Sequence, residues 1–273
     1  MSTPIPPFWR WRPAFLDASV PPVGPYTPPA GLDVVYEDRD MAIIHKPAGL
    51  LSVPGRDPAF ADSVLARVRQ RHPHAQAVNR LDLPTSGLVV VALRRKAESH
   101  LKAQFQHRQV AKAYLAVAAG RVRAPHGHIT LPMRCDFPRR PMQTICLSAG
   151  KPAWTEFTVL EYFRDEATLL LLTPHTGRSH QLRLHLAAIG HPLLGDSFYA
   201  PPAVATAAPR LLLHAAALGL MHPYRNEWMY FTAPCPFVPE VRLPDLVASQ
   251  PGPWMPLEGT LTAASVHHPQ TPH

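Results

Sequence analysis

Two residues near the middle of the chain have the types and spacing to act together on a bound substrate. Arg80 and Asp82 lie two residues apart, directly before an apolar run at residues 88–93. On an extended segment their side chains point the same way, and the apolar run predicts a rigid strand behind them. A carboxylate on a loop that the core holds in place is a common position for a functional group. Taken alone, the same residues also fit an Asx-turn at Asp82 and an exposed Arg80.

A second basic side chain and a tyrosine lie elsewhere in the sequence. Arg183 is near the start of a predicted helix that also buries Leu182 and Leu186. A guanidinium shielded in this way needs an anionic partner, although it can also reach solvent along the helix surface. Tyr114 alternates with apolar residues in a predicted strand. This pattern is typical of a core tyrosine whose hydroxyl finds a partner, and it also suits an aromatic wall of a binding site.

The elements that must position these side chains are predicted from hydrophobic periodicity. Short apolar runs predict strands at residues 41–44, 88–93, 114–117, 154–162 and 167–173. One helix is capped by Ser63 and ends before Pro73, a second covers residues 96–107, and a third covers residues 179–189 and stops at Gly190. Between about residues 33 and 240, we therefore expect strands that alternate with helices.

Proline is concentrated at the two ends of the chain. Nine of the 34 prolines lie in residues 1–30 and nine more lie from Pro234 onward. Because proline lacks an amide donor and breaks helices, we expect an N-terminal arm at residues 1–32, one folded domain at residues 33–240 and a C-terminal tail at residues 241–273. The alternating aromatic and cationic residues 8–12 in the arm could either stack on RNA or pack on the folded domain.

The charge of the chain favours a polyanionic partner. The formal net charge is +8, and 22 of the 27 cationic residues are Arg. Arg suits phosphate groups and base edges, so nucleic acid is a better candidate than a membrane surface. The three Cys lack CxxC spacing, and the longest apolar runs are far too short for a membrane helix. We expect a protein of the cytoplasm that contacts no membrane.

Six motifs, in this order, resemble the RNA pseudouridine synthases of the RluA family. They are residues 46–55, Arg80-x-Asp82 with Gly87, Gln104-Phe105 followed by Lys112-x-Tyr114, residues 176–185, residues 190–196, and Leu213-His214. The similarity spans about residues 33–235 and is strongest to a short, dual-specificity member of the family. The resemblance implies an α+β fold, with a single catalytic domain built on a long, bent, mostly antiparallel sheet flanked by helices and loops.

The resemblance also implies the reaction and the roles of five residues. The bond between uracil N1 and ribose C1′ breaks, the base turns, and C5 joins C1′, without a cofactor or a metal. Asp82 is the essential carboxylate, and it attacks C1′, adds to the base or removes a sugar proton. Tyr114 stacks on the base and assists removal of the C5 proton, and Leu182 packs against the other side of the base. Arg183 pairs with Asp82, and Arg80 enters the RNA stack.

The expected partner is structured RNA, a stem-loop of 23S ribosomal RNA, of transfer RNA, or of both, bound by a monomer without a nucleotide cofactor. Asn79 departs from the family, which usually has His before the Arg-Leu-Asp segment. A catalytically inactive RNA-binding protein or RNA chaperone is therefore an alternative. A metal-dependent hydrolase is suggested only by the 16 His.

Overall fold

The computed structural model describes residues 25–163 and 166–238. Within these ranges, twelve strands account for most of the regular structure. They are β1 (Asp33–Glu37), β2 (Met41–Lys46), β3 (Gln76–Ala77), β4 (Ser86–Ala92), β5 (Ala111–Ala119), β6 (His126–Ile129), β7 (Met133–Cys135), β8 (Gln143–Ile145), β9 (Thr155–Phe163), β10 (Ala167–Pro174), β11 (Leu213–Met221) and β12 (Trp228–Thr232). The α-helices in the same ranges are α1 (Val64–Arg69), α2 (Arg95–Gln106), α3 (Gln181–Ala188) and α4 (Pro202–Ala205).

Ten of the described strands form one sheet. Its order is β1-β2-β4-β11-β5-β10-β9-β6, with β12 paired to β11 and β3 paired to β4. Every neighbouring pair is antiparallel except β4 and β11, which run parallel. Strands β7 and β8 form a separate two-stranded sheet. The expected α+β fold with a mostly antiparallel sheet is confirmed.

Helices cover both faces of the sheet because its central strands are apolar on both sides. Along β4, Val90 contacts the cluster that includes Leu101 of α2. Its neighbour Val89 contacts the cluster that includes Val64 of α1. Successive strand residues point to opposite faces, so α1 and α2 lie on opposite sides of β4. None of the helices in the described ranges is both long and apolar enough to cross a membrane.

The five predicted strands and three predicted helices are present, with two differences. Helix α3 begins at Gln181, and not at residue 179, because His180 has a left-handed backbone with φ 55°. The expected alternation of strands and helices is wrong between β5 and β10, where strands follow one another without an α-helix. Strand β10 finds its partners locally, since it pairs with β9 on one edge and with β5 on the other.

The predicted arm and tail lie largely outside the described residues. Residues 8–12 and the tail at 241–273 are among those not described. The end of the arm that is described packs on the folded domain. The Tyr26 hydroxyl donates to the Asp62 carbonyl at 2.9 Å and accepts from Leu51 N at 3.0 Å, and its ring stacks on Phe60.

A glycine permits the close approach of β4 and β11. Gly87 follows the Asp82 loop, has φ +117°, and pairs with Ala215 across the parallel ladder. A Cβ atom at Gly87 would lie 2.2 Å from the carbonyl oxygen of Ala215. The two backbones can meet here only because no side chain stands between them.

We predict that Gly87→Ala lowers the free energy of unfolding by about 3 kcal/mol or more, since it combines a backbone clash with an unfavourable positive φ. Gly177→Ala is the matched control, because a Cβ at Gly177 meets no atom within 4 Å. Urea unfolding of both variants measures the difference. Equal midpoints for the two would contradict this account of the β4–β11 contact.

Candidate active site

The site forms where the loop before β4 meets helix α3. The Arg183 Nη1 atom donates to Asp82 Oδ2 at 3.1 Å, and the two residues are 101 positions apart in sequence. The Arg183 side chain is 2% exposed, whereas that of Asp82 is 26% exposed. The fold therefore brings together the carboxylate and the guanidinium that the sequence singled out, and the carboxylate is the member of the pair that solvent can reach.

A second carboxylate fixes the orientation of Arg183. Its Nε donates to Asp196 Oδ2 at 2.8 Å, and its Nη2 donates to Asp196 Oδ1 at 2.7 Å. Asp196 is completely buried, and its Oδ1 also accepts from the amides of Phe198 and Tyr199. This fork-to-fork geometry leaves one guanidinium nitrogen directed at Asp82.

The charges of this cluster support one another. Burial opposes the charged form of Arg183, but Asp196 and Asp82 raise the pKa of its guanidinium. Burial also opposes ionised Asp196, but Arg183 lowers the pKa of that carboxyl. One cation is thus shared by two carboxylates. When both are ionised the cluster has one net negative charge, and Asp82 presents it to the cleft.

His180 and Tyr199 continue the network on the other side of Asp82. His180 Nδ1 lies 2.7 Å from the Tyr199 hydroxyl, which also accepts from Gln143 N at 2.8 Å. His180 Nε2 lies 3.9 Å from Asp82 Oδ1. Burial lowers the pKa of His180, so the neutral ring predominates at neutral pH. With the Tyr199 hydroxyl donating to Nδ1, we infer the tautomer that directs an Nε2 proton at Asp82.

The loop that carries Asp82 is fastened to residues 46–52. The buried Lys46 ammonium donates to three carbonyls, those of Pro47, Leu50 and Leu83. Ser52 Oγ both donates to the Leu81 carbonyl and accepts from the Leu81 amide. Burial lowers the pKa of Lys46 to about 7, and the nearby Asp82 charge acts against this shift. The backbone is therefore held on both sides of Asp82.

The turn after Asp82 is closed by the backbone and not by its carboxylate. The Thr85 amide donates to the Asp82 carbonyl at 3.1 Å. Among the described residues, the carboxylate bonds to Arg183 and to no atom of its own loop. The Asx-turn alternative is therefore wrong, and the side chain is available to a substrate.

Asn79 has a structural contact at the start of the same loop. Its Oδ1 accepts from the Val90 amide at 2.7 Å, which ties the loop to the middle of β4. This bond needs an acceptor and not a titratable group, so asparagine performs it as well as a neutral imidazole nitrogen. The departure from the usual His is thus compatible with an intact loop.

Tyr114 and Leu182, the two side chains expected to face the base, lie in one apolar cluster, and Tyr114 is close enough to Asp82 to sense its charge. Both belong to the cluster that includes Leu170, Leu172 and Leu186. Leu182 is buried and Tyr114 is half-buried. The Tyr114 hydroxyl bonds to no other described residue, so the alternative of a fully satisfied core tyrosine is not what the structure shows. Burial and the Asp82 charge both raise its pKa, which keeps the phenol neutral at neutral pH.

Arg80 differs from Arg183 in its exposure and in its bonding partners. It is exposed, and it forms no hydrogen bond or ion pair with another described residue. It lies two residues from Asp82 on the same fastened loop. Its guanidinium is therefore free to contact a bound polyanion at the rim of the cleft.

One cluster in the described part of the chain has the spacing of metal ligands, and it lies away from Asp82. It consists of Asp38, Asp40 and His222. The Asp38 carboxylate already accepts from Tyr36 and His222 and pairs with the Arg225 guanidinium. A bound cation would have to displace that guanidinium, so the cluster is better described as an ion-pair network.

Sequence reasoning assigned no role to Asp196, His180 or Lys46, although all three lie in the quoted motifs. Each acts through a partner distant in sequence, such as Leu83 for Lys46 at a separation of 37 residues. The available signal was that each is a charged or titratable residue within a motif, beside Gly195, Gln181 and Pro47 respectively. Their contacts became visible only in the folded chain.

The known proteins that are similar to this chain are RNA pseudouridine synthases. The model of the RNA pseudouridylate synthase family matches residues 40–188. The dual-specificity RNA pseudouridine synthase RluA of Pasteurella multocida (strain Pm70) is 47% identical over 214 residues, which covers 78% of this chain and 98% of that protein. The protein of the same name from Escherichia coli (strain K12) is 48% identical with the same coverage.

Solved structures agree with these relatives. Human RNA pseudouridylate synthase domain containing 1 superposes with a TM-score of 0.67 at 30% identity, covering 81% of this chain and 96% of that one. Human RNA pseudouridylate synthase domain containing 4 superposes with a TM-score of 0.59 at 23% identity, covering 76% and 89% of the two chains. The second likeness concerns the fold alone.

We predict that Asp196→Asn lowers the free energy of unfolding by about 3 kcal/mol, because it removes one partner of a buried ion pair. Asp62→Asn is the matched control. Asp62 also forms a two-bond pair with an arginine, Arg67, but its side chain is 37% exposed. Its loss should therefore change stability by less than about 1 kcal/mol. Equal shifts in urea unfolding would mean that burial does not set the strength of the Arg183–Asp196 pair.

Proposed function

Since the chain belongs to the RluA family of RNA pseudouridine synthases, we propose that it modifies uridines in two RNAs, a hairpin of 23S ribosomal RNA and the anticodon stem-loop of transfer RNA. As a member of the family it is an isomerase that converts uridine to pseudouridine in RNA. The dual-specificity relatives support the choice of two substrates, because this chain matches 98% of their length at 47–48% identity. The net charge of +8 suits either polyanion.

The contact between Arg183 and Asp82 is the observation that carries the proposed mechanism. An aspartate closed into a cleft with a nucleotide loses hydration, which favours its neutral form. The guanidinium at 3.1 Å is a fixed positive charge beside the carboxylate, and it offsets this cost. Arg183 occupies Oδ2, whereas His180 Nε2 is 3.9 Å from Oδ1 and beyond hydrogen-bond distance, so Oδ1 is the oxygen left to meet the nucleotide. All three roles open to Asp82 require this ionised oxygen at the ribose or the base.

The reaction exchanges one glycosidic bond for another without a change in oxidation state. The N1–C1′ bond breaks, the uracil turns within the closed site, and the C5–C1′ bond forms. The proton leaves C5, and one proton is gained at N1, so the atoms balance without a cofactor. What the protein must supply is a carboxylate, a pocket that retains the detached base, and a route for the C5 proton.

We assign the pocket walls to Tyr114 and Leu182, which share one apolar cluster beside Asp82. A phenol ring and a leucine on either side of uracil would hold the base in its plane while it turns. The phenol is neutral at neutral pH because burial raises its pKa. Tyr114 therefore acts first as a stacking surface. We assign the relay of the C5 proton to its hydroxyl, which bonds to no other described residue.

We assign Arg80 to the gap that the flipped uridine leaves. Extruding a base from a folded RNA costs a few kcal/mol, and a planar guanidinium can stack in the vacated position while it donates hydrogen bonds. Arg80 is exposed, unpaired among the described residues and two positions from Asp82. The proposal includes residues 33–240 as the catalytic domain, a monomer and a cytoplasmic location, where both RNAs occur.

We predict that Asp82→Asn lowers the single-turnover rate by about a thousandfold or more, since the amide keeps the contact with Arg183 but loses the charge. Asp33→Asn, on an aspartate whose side chain is 84% exposed, is the control and should be fully active. The measurement is pseudouridine mapping in 23S ribosomal RNA and transfer RNA from cells that lack the gene, before and after treatment with each protein. Activity in the Asp82→Asn variant would refute the mechanism, and wild-type modification of neither RNA would refute the substrates.

We predict that Arg80→Ala lowers the rate at saturating RNA by about tenfold, because an increase of about 1.4 kcal/mol in the cost of flipping has that effect. Arg95→Ala removes another exposed arginine, at the start of α2, and should leave this rate unchanged. The comparison uses single-turnover kinetics on the same stem-loop. A normal rate in the Arg80 variant would exclude its role in base flipping.

A further inference from the structure

An exposed aromatic pair lies outside the site described above. The Trp154 indole and the His175 imidazole are stacked, with ring centroids 4.1 Å apart and planes 21° from parallel. Trp154 is 41% exposed, although tryptophan is one of the more buried residue types on average. His175 is the one aromatic partner of Trp154 among the described residues, and it covers only one face of the indole. The stack therefore holds a large flat surface rigidly in place and partly open to solvent.

This pair is joined directly to the helix that carries Arg183. Gln181, the first residue of α3, donates from Nε2 to the Trp154 carbonyl at 2.9 Å. The Trp154 amide donates to Thr176 Oγ1 at 2.9 Å, and that hydroxyl donates to Gln181 Oε1 at 2.7 Å. Thr176 and Gln181 are both buried. A contact made at Trp154 thus has a fixed geometry relative to α3.

The chain length between His175 and His180 limits the distance to the active site. His180 lies beside Asp82, with Nε2 at 3.9 Å from Oδ1. His180 is the fifth residue after His175, and five residues span at most about 18 Å when fully extended. The stack is therefore within a few nucleotide lengths of the position where the target uridine meets Asp82.

The charges around the stack suit an anionic polymer. Arg178 lies in the same connection and donates from Nε to the Pro152 carbonyl at 3.2 Å, and Lys151 is exposed on the adjacent segment. Among the described residues near the stack, Glu156 contributes a carboxylate, which lies 3.0 Å from His175 Nε2. A flat ring with cations beside it is the usual composition of a site for single-stranded nucleic acid.

We propose that the Trp154–His175 pair is a stacking platform for an unpaired nucleobase of the substrate RNA, next to the flipped uridine in the loop. The inference rests on the proposed function for the presence of a stem-loop substrate. It assigns the surface to RNA and not to a protein partner, because the stack is within about 18 Å of His180 along the chain and is flanked by the cations Arg178 and Lys151. The base would stack on the indole, and the two cations would meet the adjoining phosphates.

The test compares Trp154→Ala, Trp154→Phe and Phe163→Ala. Phe163 is a matched control because it is an exposed aromatic residue at the far end of β9, nine residues and roughly 30 Å along the strand from Trp154. The substrate is total RNA labelled with tritium at uridine C5, taken from cells that lack the gene. Tritium release measures turnover whichever RNA contains the target. Binding is measured with the same RNA in an Asp82→Asn background, which prevents turnover.

We expect Trp154→Ala to weaken RNA binding and raise KM by about tenfold, with kcat unchanged, because the loss of one stacked base has this size. Trp154→Phe should restore most of the affinity, and Phe163→Ala should match the wild type. An affinity within about twofold of wild type in Trp154→Ala would overturn the proposal and would favour a protein partner for this surface. An equal loss of kcat, or no rescue by phenylalanine, would also overturn it, because either result indicates a structural role.

Failure of this inference is distinguishable from failure of the proposed function. Mapping of the pseudouridines in the same reactions identifies the modified RNA. If the wild-type protein releases tritium from RNAs other than the two proposed, the substrate assignment is wrong, while the Trp154 comparison is still decided by KM. If the assignment is right and KM does not change in Trp154→Ala, the stacking platform alone is wrong.

Discussion

The structure depends on a guanidinium that is completely buried and shared between two carboxylates. Removing Arg183 from water has a large cost, and the fork-to-fork pair with Asp196 compensates for most of it. The third nitrogen is then held at Asp82 without further ordering. Because the charge of Asp196 already balances that of Arg183, adding an ionised Asp82 gives the three side chains a net charge of minus one, while Arg183 still attracts the Asp82 carboxylate. A single Arg–Asp pair in the same place would have been neutral.

This arrangement requires a rigid loop on the opposite side of the cleft. Asp82 belongs to no regular element, yet the residues around it are bonded to two parts of the fold, the segment of residues 46–52 and strand β4. Ser52 holds Leu81, Lys46 holds Leu83, and Asn79 holds the strand that follows. Further along, Gly87 lets β4 approach the β11 backbone. The loop therefore has little freedom to move Asp82 away from Arg183, and the geometry does not have to be assembled when RNA binds.

Strands and helix ends that are specified by neighbouring residues could be predicted from the sequence. The strand at β4 and the cap of α1 by Ser63 are encoded by neighbouring residues. Hydrophobic periodicity predicts the start of α3 two residues too early, because nothing in the sequence requires a positive φ at His180. Strand β11 was not predicted, since its alanine-rich sequence is equally typical of a helix, and its pairing with β4, β5 and β12 decides the outcome. The Asp82–Arg183 pair came from the family resemblance, whereas the role of Asp196 depends on contacts that no local pattern records.

Two arginines in this protein have opposite environments, one buried beside Asp82 and one exposed near it. Arg183 is buried and satisfied by carboxylates of its own chain, so it orients Asp82 and is hidden from the phosphates of a substrate. Arg80 is exposed and forms no bond with another described residue, so its donors are available to RNA. A lysine could not replace either one fully, because its ammonium offers neither the fork that holds Asp196 nor the plane that stacks on a base. The predominance of Arg over Lys in this chain is thus consistent with both the core of the site and its rim. Burial alone determines which purpose each guanidinium serves.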